Sequence, residues 1–256
     1  IITQLNDHTV CRVIELVLAD KGDPGVPFTW LCFGSEGRRE QTLHTDQDNG
    51  ILFEAKDAAE AASIRQRLLP IAQQINQHLA ACGFTLCKGN IMAGNPDLCL
   101  SRAEWTRRFA AFIREATPEN LLASTIYFDL RVVWGDELGC EQLRRGMLAQ
   151  VADNRLFQRM MADNALRHRP PVGRFREFVL ERKGSDKATL DLKVQGLTPF
   201  VDGARLLALA NGVEANNTLE RLRQLVSLEV IEPLDGAAYE EAYHFIQQTR
   251  MQQHQL

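Results

Sequence analysis

Two aspartates one residue apart, Asp46 and Asp48, are the residues of this 256-residue chain whose type and spacing point most clearly to chemistry. Each carboxylate raises the cost of ionising the other, so the pair requires a cation between them. Residues two apart on an extended chain point to the same side. Carboxylates placed in this way can share hard divalent ions, which prefer oxygen ligands and bring nucleotide phosphates with them. The pattern predicts that Asp46 and Asp48 bind Mg²⁺.

A glycine-serine turn, Gly34 and Ser35, follows the apolar run "FTWLCF" and precedes the aspartates. Such a turn between a strand and the start of a helix presents backbone N–H groups that bind phosphate. The turn and the aspartates together predict phosphoryl or nucleotidyl transfer from a nucleoside triphosphate (NTP). Two Mg²⁺ ions about 3.5–4 Å apart would activate the attacking hydroxyl and neutralise the leaving pyrophosphate.

Two other phosphate or metal motifs do not fit the same residues. An EF-hand loop needs Gly at its sixth position and Glu at its twelfth. Counted from Asp46, Gly50 is fifth and Glu54 is ninth. A Walker A loop needs a lysine after its glycines, and none follows here. The remaining alternative is a surface turn that contains the two aspartates without binding a metal.

Composition bounds the function classes. A formal net charge of −4 and a pI near 5.9 argue against broad nucleic-acid binding. The apolar runs are shorter than the roughly 20 residues that span a bilayer, so we expect no membrane segment and a cytoplasmic protein. The six scattered cysteines predict reduced, mostly buried thiols. Because the chain starts with Ile1, we expect it to be a piece of a longer protein.

Hydrophobic periodicity divides the chain into an α/β (α+β) first part and a helical second part, with expected domains 1–150 and 151–256. The first part should form a small mixed sheet, and the second a helical bundle. Pro70 should kink or split its helix. The expected strands are 28–34, 49–54 and 84–93, and the expected helices of the first part are 10–18, 58–82, 105–114 and 121–134.

The motif "GSEGRRE" with the later "HTDQD" resembles the nucleotidyltransferase domain of PII uridylyltransferases, in the polymerase-beta-like nucleotidyltransferase superfamily. Ser35 replaces the second glycine of that family. The segments "LCKGNIMAGNP", "STIYFDLRVVWGD" and "LDLKVQGLTPFVDGARLLAL" are similar to uncharacterised nucleotidyltransferases that often follow cyclic-nucleotide-binding or CBS-pair domains. The positions on the uridylyltransferase spacing are Gly34, Gly37, Arg38, Glu40, His44, Asp46 and Asp48.

This resemblance implies a polymerase-beta-like domain that transfers a nucleoside monophosphate, UMP in the best-known relatives. The acceptor would be a signalling protein or a small molecule, and regulatory domains would lie upstream. It also implies a third catalytic carboxylate, for which Asp129 in "FDLR" is the candidate. The structural alternative is that Asp129 pairs with Arg131 or Arg102. The predicted third strand carries no acidic residue, which favours a rival function as a non-catalytic nucleotide-sensing or protein-interaction module.

Three basic residues are further candidates for nucleotide binding. Arg38 has a guanidinium that matches phosphate oxygens, although a salt bridge to Glu40 or Glu36 is the alternative. Lys88 lies on the predicted third strand near the expected cleft. Lys193 begins the helical domain, on a face that would close over the nucleotide or would simply be exposed.

Overall fold

The structure is a computed structural model that describes residues 1–43, 45–167 and 191–253. The chain divides into two compact units, Ile1–Gln150 and Val151–Leu256. Each unit buries its own apolar clusters. Within the described ranges, no helix combines the length and the apolar character needed to cross a membrane.

A four-stranded mixed sheet organises the first unit. Its strands are β1 (Phe28–Cys32), β2 (Asn49–Phe53), β3 (Cys99–Ser101) and β4 (Arg131–Trp134), in the order β3–β2–β1–β4. β1 is antiparallel to β2 and β4, and β2 is parallel to β3. Every residue of β1 and β2 is buried, which explains why these strands read as continuous apolar runs. The predicted small mixed sheet is confirmed.

Five helices accompany the sheet: α1 (Ile2–Lys21), α2 (Gly34–Gly37), α3 (Ala58–Ala81), α4 (Arg102–Arg114) and α5 (Pro118–Tyr127). The apolar stripes of α1 and α3 form one core cluster with β1 and β2. An aromatic cluster joins Phe33 to Trp105 and Tyr127, with ring centroids 5.6 and 5.1 Å away. Trp105 is fully buried and belongs to the core of this unit.

The prediction of a strand at 84–93 is wrong, because only an isolated bridge between Thr85 and Asp46 forms there. The segment exposes Leu86 and takes a left-handed turn at Asn90, with φ of 55°. It therefore lacks the buried face that sustains a strand. The strand that pairs with β2 lies later in the chain, at Cys99–Ser101.

The helix prediction at 121–134 is wrong, and of the two effects predicted for Pro70 the split does not occur. The pattern at 121–134 combines the end of α5 at Tyr127 with β4, whose β-branched Val132 pairs with Leu31 of β1. Pro70 does not split its helix, since α3 runs through it without interruption. Pro70 is exposed, so the backbone group that it leaves without a helical partner can bind water.

The second unit is helical in its described part. α6 (Leu138–Ala152) spans the boundary, and α7 (Arg155–Ala165), a π-helical segment (Leu192–Leu197), α8 (Thr198–Ala210), α9 (Thr218–Ser227) and α10 (Pro233–Gln253) follow. One of its apolar clusters includes Ala208 and Leu225, both fully buried. The predicted helical character of this region is confirmed.

Candidate active site

The glycine turn follows β1 directly. Phe33 is extended, and Gly34 then has a φ of +54°, a left-handed conformation that glycine adopts without steric cost. The backbone N–H of Phe33 donates a hydrogen bond of 2.8 Å to the carbonyl of Asp48. The turn and the acidic segment are therefore joined where β1 ends and β2 begins.

Exposure alternates along the acidic segment. Gln47 and Asn49 are 1% and 2% exposed, whereas Asp46 is exposed and Asp48 is half-buried. The segment enters β2, and alternate residues of an extended chain point to opposite sides. The two carboxylates therefore lie on the side away from the buried amides. A Cβ atom placed on Gly34 would lie 3.4 Å from Oδ2 of Asp48, so that carboxylate borders the turn.

The buried amides form a network that the sequence reasoning missed. Asn76 of α3 lies at its centre and is 5% exposed. Because Gln47 and Asn49 both bind it, the backbone on either side of Asp48 is fixed to α3. The network consists of Gln47 Nε2 to Asn76 O (2.9 Å) and Phe84 O (3.1 Å), Asn76 Nδ2 to Gln47 Oε1 (2.8 Å) and Asn49 Oδ1 (3.0 Å), Ala93 N to Asn49 Oδ1 (2.8 Å), and Gly94 N to Asn76 Oδ1 (2.9 Å).

A thiol adjoins the same carboxylate. Burial raises the pKa of Cys87, and the charge and hydrogen bonding of Asp48 raise it further, against the lowering effect of backbone hydrogen bonds. Cys87 belongs to the irregular segment that follows the Thr85 bridge. This segment therefore borders the acidic pair although it forms no strand.

Arg38 joins two carboxylates. Its Nε donates to Glu40 and its Nη1 to Asp129, each at 2.7 Å. The salt bridge to Glu40 that the sequence offered as an alternative is confirmed. The alternative partners of Asp129 are wrong, because Arg131 binds Asp7 and Arg102 binds Glu54. Asp129 is completely buried between α5 and β4, which places it in an ion-pair network.

The glycine turn is anchored from the side of β4. Arg131 forms a bidentate pair with Asp7 at 2.8 and 2.9 Å, and it also donates to the backbone carbonyl of Glu36 at 3.1 Å. A Cβ atom on Gly37 would come within 1.8 Å of the carbonyl oxygen of Asp129. Only glycine therefore permits this approach of the turn to the α5–β4 connection.

Glu36 is a buried carboxyl group inside the turn that the sequence reasoning considered only as a partner for Arg38. It is 3% exposed, and burial raises its pKa to about 7. The sequence feature that could have indicated its burial is the position of Glu36 between two glycines of the motif, because glycines allow a turn to pack closely.

The remaining residues predicted from the sequence are two lysines and His44. Lys88 is exposed in the segment after Thr85, and Lys193 is exposed in the π-helical segment of the second unit. His44 lies outside the described residues. Among residues 1–43, 45–167 and 191–253, no cluster of three or more His, Cys, Asp or Glu side chains could hold a metal ion. The candidate metal ligands are thus the two aspartates.

Comparison with family models matches both parts of the chain. Residues 1–119 match a model described as "Putative nucleotidyltransferase DUF294". Residues 155–256 match one described as "Putative nucleotidyltransferase substrate binding domain". Comparison with curated proteins gives no match. The two family matches cover the glycine turn with the aspartates and the helices α7 to α10 of the second unit.

Proposed function

We propose that this chain, which belongs to the family described as "Putative nucleotidyltransferase DUF294", performs Mg²⁺-dependent transfer of a nucleoside monophosphate from an NTP to an acceptor. Nucleotidyl transfer is the activity that both family descriptions name. The finer parts of the proposal, the metal and the roles of individual residues, rest on the candidate active site.

The observation that supports it best is the position of Asp48 between the glycine turn and the buried amides. Its carboxylate borders Gly34, and its neighbours Gln47 and Asn49 are fixed to α3. Two carboxylates are an oxygen donor set that suits Mg²⁺, which usually takes one or two protein carboxylates together with substrate phosphates. Asp46 and Asp48 would hold the ion, and Mg²⁺ bound there would neutralise charge on the phosphates.

The residues of the turn would bind and orient the nucleotide. Backbone N–H groups at Gly34 and Ser35 would face the phosphate chain. We assign Arg38 and Asp129 to positioning the turn, since each is engaged by a buried ion pair. A catalytic role for Asp129, and nucleotide contacts of Arg38, Lys88 and Lys193, stay predictions.

The finer identity of the reaction follows the family resemblance. We propose UTP as the nucleotide, a signalling protein as the acceptor, and regulation by CBS-pair or cyclic-nucleotide-binding domains elsewhere in a longer cytoplasmic protein. The second unit would bind the acceptor, in keeping with the family description of residues 155–256 as a substrate binding domain.

One observation favours a second function. Asp129, the candidate third carboxylate, is buried and bound to Arg38, and no three-ligand metal cluster exists within the described part of the chain. A site limited to two carboxylates fits a module that senses a nucleotide without reacting with it. This alternative predicts nucleotide binding without release of pyrophosphate.

Transfer of label from [α-³²P]NTPs tests the proposal. The chain is incubated with Mg²⁺, each of the four labelled nucleotides and a protein extract, and both labelled protein and free pyrophosphate are measured. Asp46→Asn and Asp48→Asn should each reduce the rate at least about a hundredfold, since they remove charge that stabilises the transition state. The matched control is Asp20→Asn, an exposed carboxylate at the end of α1.

Equal rates for wild type and Asp48→Asn would contradict the proposed site. Nucleotide binding that depends on both aspartates, with no pyrophosphate released, would instead support the sensing module.

A further inference from the structure

Arg108 of α4 has its guanidinium fixed among three aromatic rings. Its Cζ lies 5.4 Å from the ring centroid of Tyr127, 5.6 Å from that of Phe112 and 5.9 Å from that of Trp105. Its Nη1 donates a hydrogen bond of 2.6 Å to the backbone carbonyl of Asp97. All three rings are buried, so cation–π contacts and this hydrogen bond hold the group in one place.

The charge of Arg108 has no carboxylate partner in the described ranges of the chain. Other arginines near the site do, since Arg38 binds Asp129 and Arg131 binds Asp7. The Nε of Arg108 is shielded from solvent and has no hydrogen-bond partner within the same ranges. A fixed guanidinium without a counter-charge is well suited to bind a phosphate oxygen.

Tyr127 connects Arg108 to the candidate active site. Its ring packs edge-on against Phe33, with 5.1 Å between centroids, and Phe33 is hydrogen-bonded to the backbone of Asp48. Burial raises the pKa of the Tyr127 hydroxyl, Arg108 lowers it, and Asp48 raises it. The cation and the carboxylate therefore both lie within electrostatic range of the same hydroxyl.

We infer that Arg108 is a phosphate ligand for the nucleotide bound beside Asp48, oriented by its aromatic surroundings and by the carbonyl of Asp97. The inference deepens the proposed function and rests on it, because it requires a nucleotide at the aspartates. Unlike Arg38, which is engaged by Glu40 and Asp129, Arg108 has no carboxylate partner in the described ranges. Arg108 supplies positive charge on the α4 side of the site.

Isothermal titration with Mg·UTP and with Mg·ATP tests the inference. For whichever nucleotide binds the wild type, Arg108→Ala should lower the affinity by about tenfold to a hundredfold. This is the usual effect of losing a hydrogen bond between charged groups. The affinity of Arg108→Lys should lie between those of wild type and Arg108→Ala, since lysine keeps the charge but not the planar donor geometry. Arg107→Ala is the control, because it removes the same charge from an exposed neighbouring residue on α4.

The outcomes separate the two proposals. Unchanged affinity in Arg108→Ala, together with loss of binding in Asp48→Asn, would overturn the role of Arg108 and leave the proposed function standing. Binding of neither nucleotide by wild type would contradict both. If thermal unfolding shows that Arg108→Ala does not fold, Arg108→Gln decides: affinity within about twofold of wild type overturns the inference, and a loss of at least tenfold supports it.

Discussion

Glu36 places a carboxyl group in the tightest part of the glycine turn. Burial raises its pKa from 4.5 to about 7, a hydrogen bond with Cys32 and the charge of Arg131 oppose the rise, and the charges of Asp48 and Asp7 add to it. Folding therefore favours the protonated form of Glu36. The contribution of Glu36 to the free energy of unfolding is therefore fully present below pH 4.5, and it is lost as the pH rises through about 7.

Glu36→Gln should remove this pH dependence. The amide keeps the shape of the protonated acid but cannot ionise. Between about pH 5 and pH 8 the free energy of unfolding of wild type should therefore fall relative to the variant by on the order of 2–3 kcal/mol. Urea denaturation at several pH values measures the difference. Parallel pH profiles for the two proteins would contradict the burial of an ionisable Glu36.

Gly37→Ala should disrupt the turn. The added methyl would lie 1.8 Å from the carbonyl oxygen of Asp129, so the backbone must move. We expect a loss of about 3 kcal/mol or more in stability, with weakened nucleotide binding. Gly146→Ala is the control, because Gly146 lies within α6 with open space around its Cα, and should stabilise by about 0.5–1 kcal/mol. Similar stability changes in both variants would contradict the packing at Gly37.

For individual residues, the sequence predicted those features that depend only on neighbouring residues in the chain. The alternation that leaves Asp46 and Asp48 outside two buried amides follows from the geometry of an extended chain. The second partner of Arg38 did not follow from the sequence, because Asp129 is 91 residues away. Spacing along the chain carries no information about such a pair, so Arg38 was considered for the nucleotide.

At the scale of elements, α3 does more than cover the sheet. Its apolar face packs in the core cluster that it forms with α1, β1 and β2, while Asn76 reaches the backbone segment of the aspartates. The amides are buried, so each lost hydrogen bond leaves a polar group without water. The network therefore fixes the geometry of the acidic pair through an element that carries no candidate ligand.

Asn76→Ala tests this connection. Removing the amide leaves Gln47 Oε1 and Gly94 N without this partner, and we expect a loss of about 2–4 kcal/mol in stability. Nucleotide binding should weaken as well, because Asp48 loses its support. Gln77→Ala, on the exposed side of the same helix, should change stability by less than about 0.5 kcal/mol. An Asn76→Ala protein with native stability and affinity would contradict a positioning role.

Elements were predictable where hydrophobic pattern and burial agree. β1, β2 and α3 have buried apolar residues at strand or helix spacing. The segment at 84–93 misled because it has apolar residues without a buried face, and the α5–β4 region because a short helix and a strand adjoin. Asn76 was not predictable, since a polar residue on a helix gives no sign of its distant partner.

At the scale of the whole molecule, the chain combines an α/β unit that carries the candidate site with a second unit that matches the family model described as "Putative nucleotidyltransferase substrate binding domain". A net charge of −4 means that its attraction for nucleotide phosphates must come from local groups. The glycine turn, the two aspartates proposed to bind Mg²⁺ and Arg108 all belong to the first unit. Nucleotide binding is accordingly expected to depend on these few groups rather than on the overall charge.

A crystal structure with Mn²⁺ and a non-hydrolysable UTP analogue tests the central claim most directly, because the anomalous signal of manganese locates the ion. The account predicts a peak within coordination distance of carboxylate oxygens of both Asp46 and Asp48, with the phosphate chain against Gly34 and Ser35. A nucleotide bound elsewhere, or an ion that contacts neither aspartate, would contradict it.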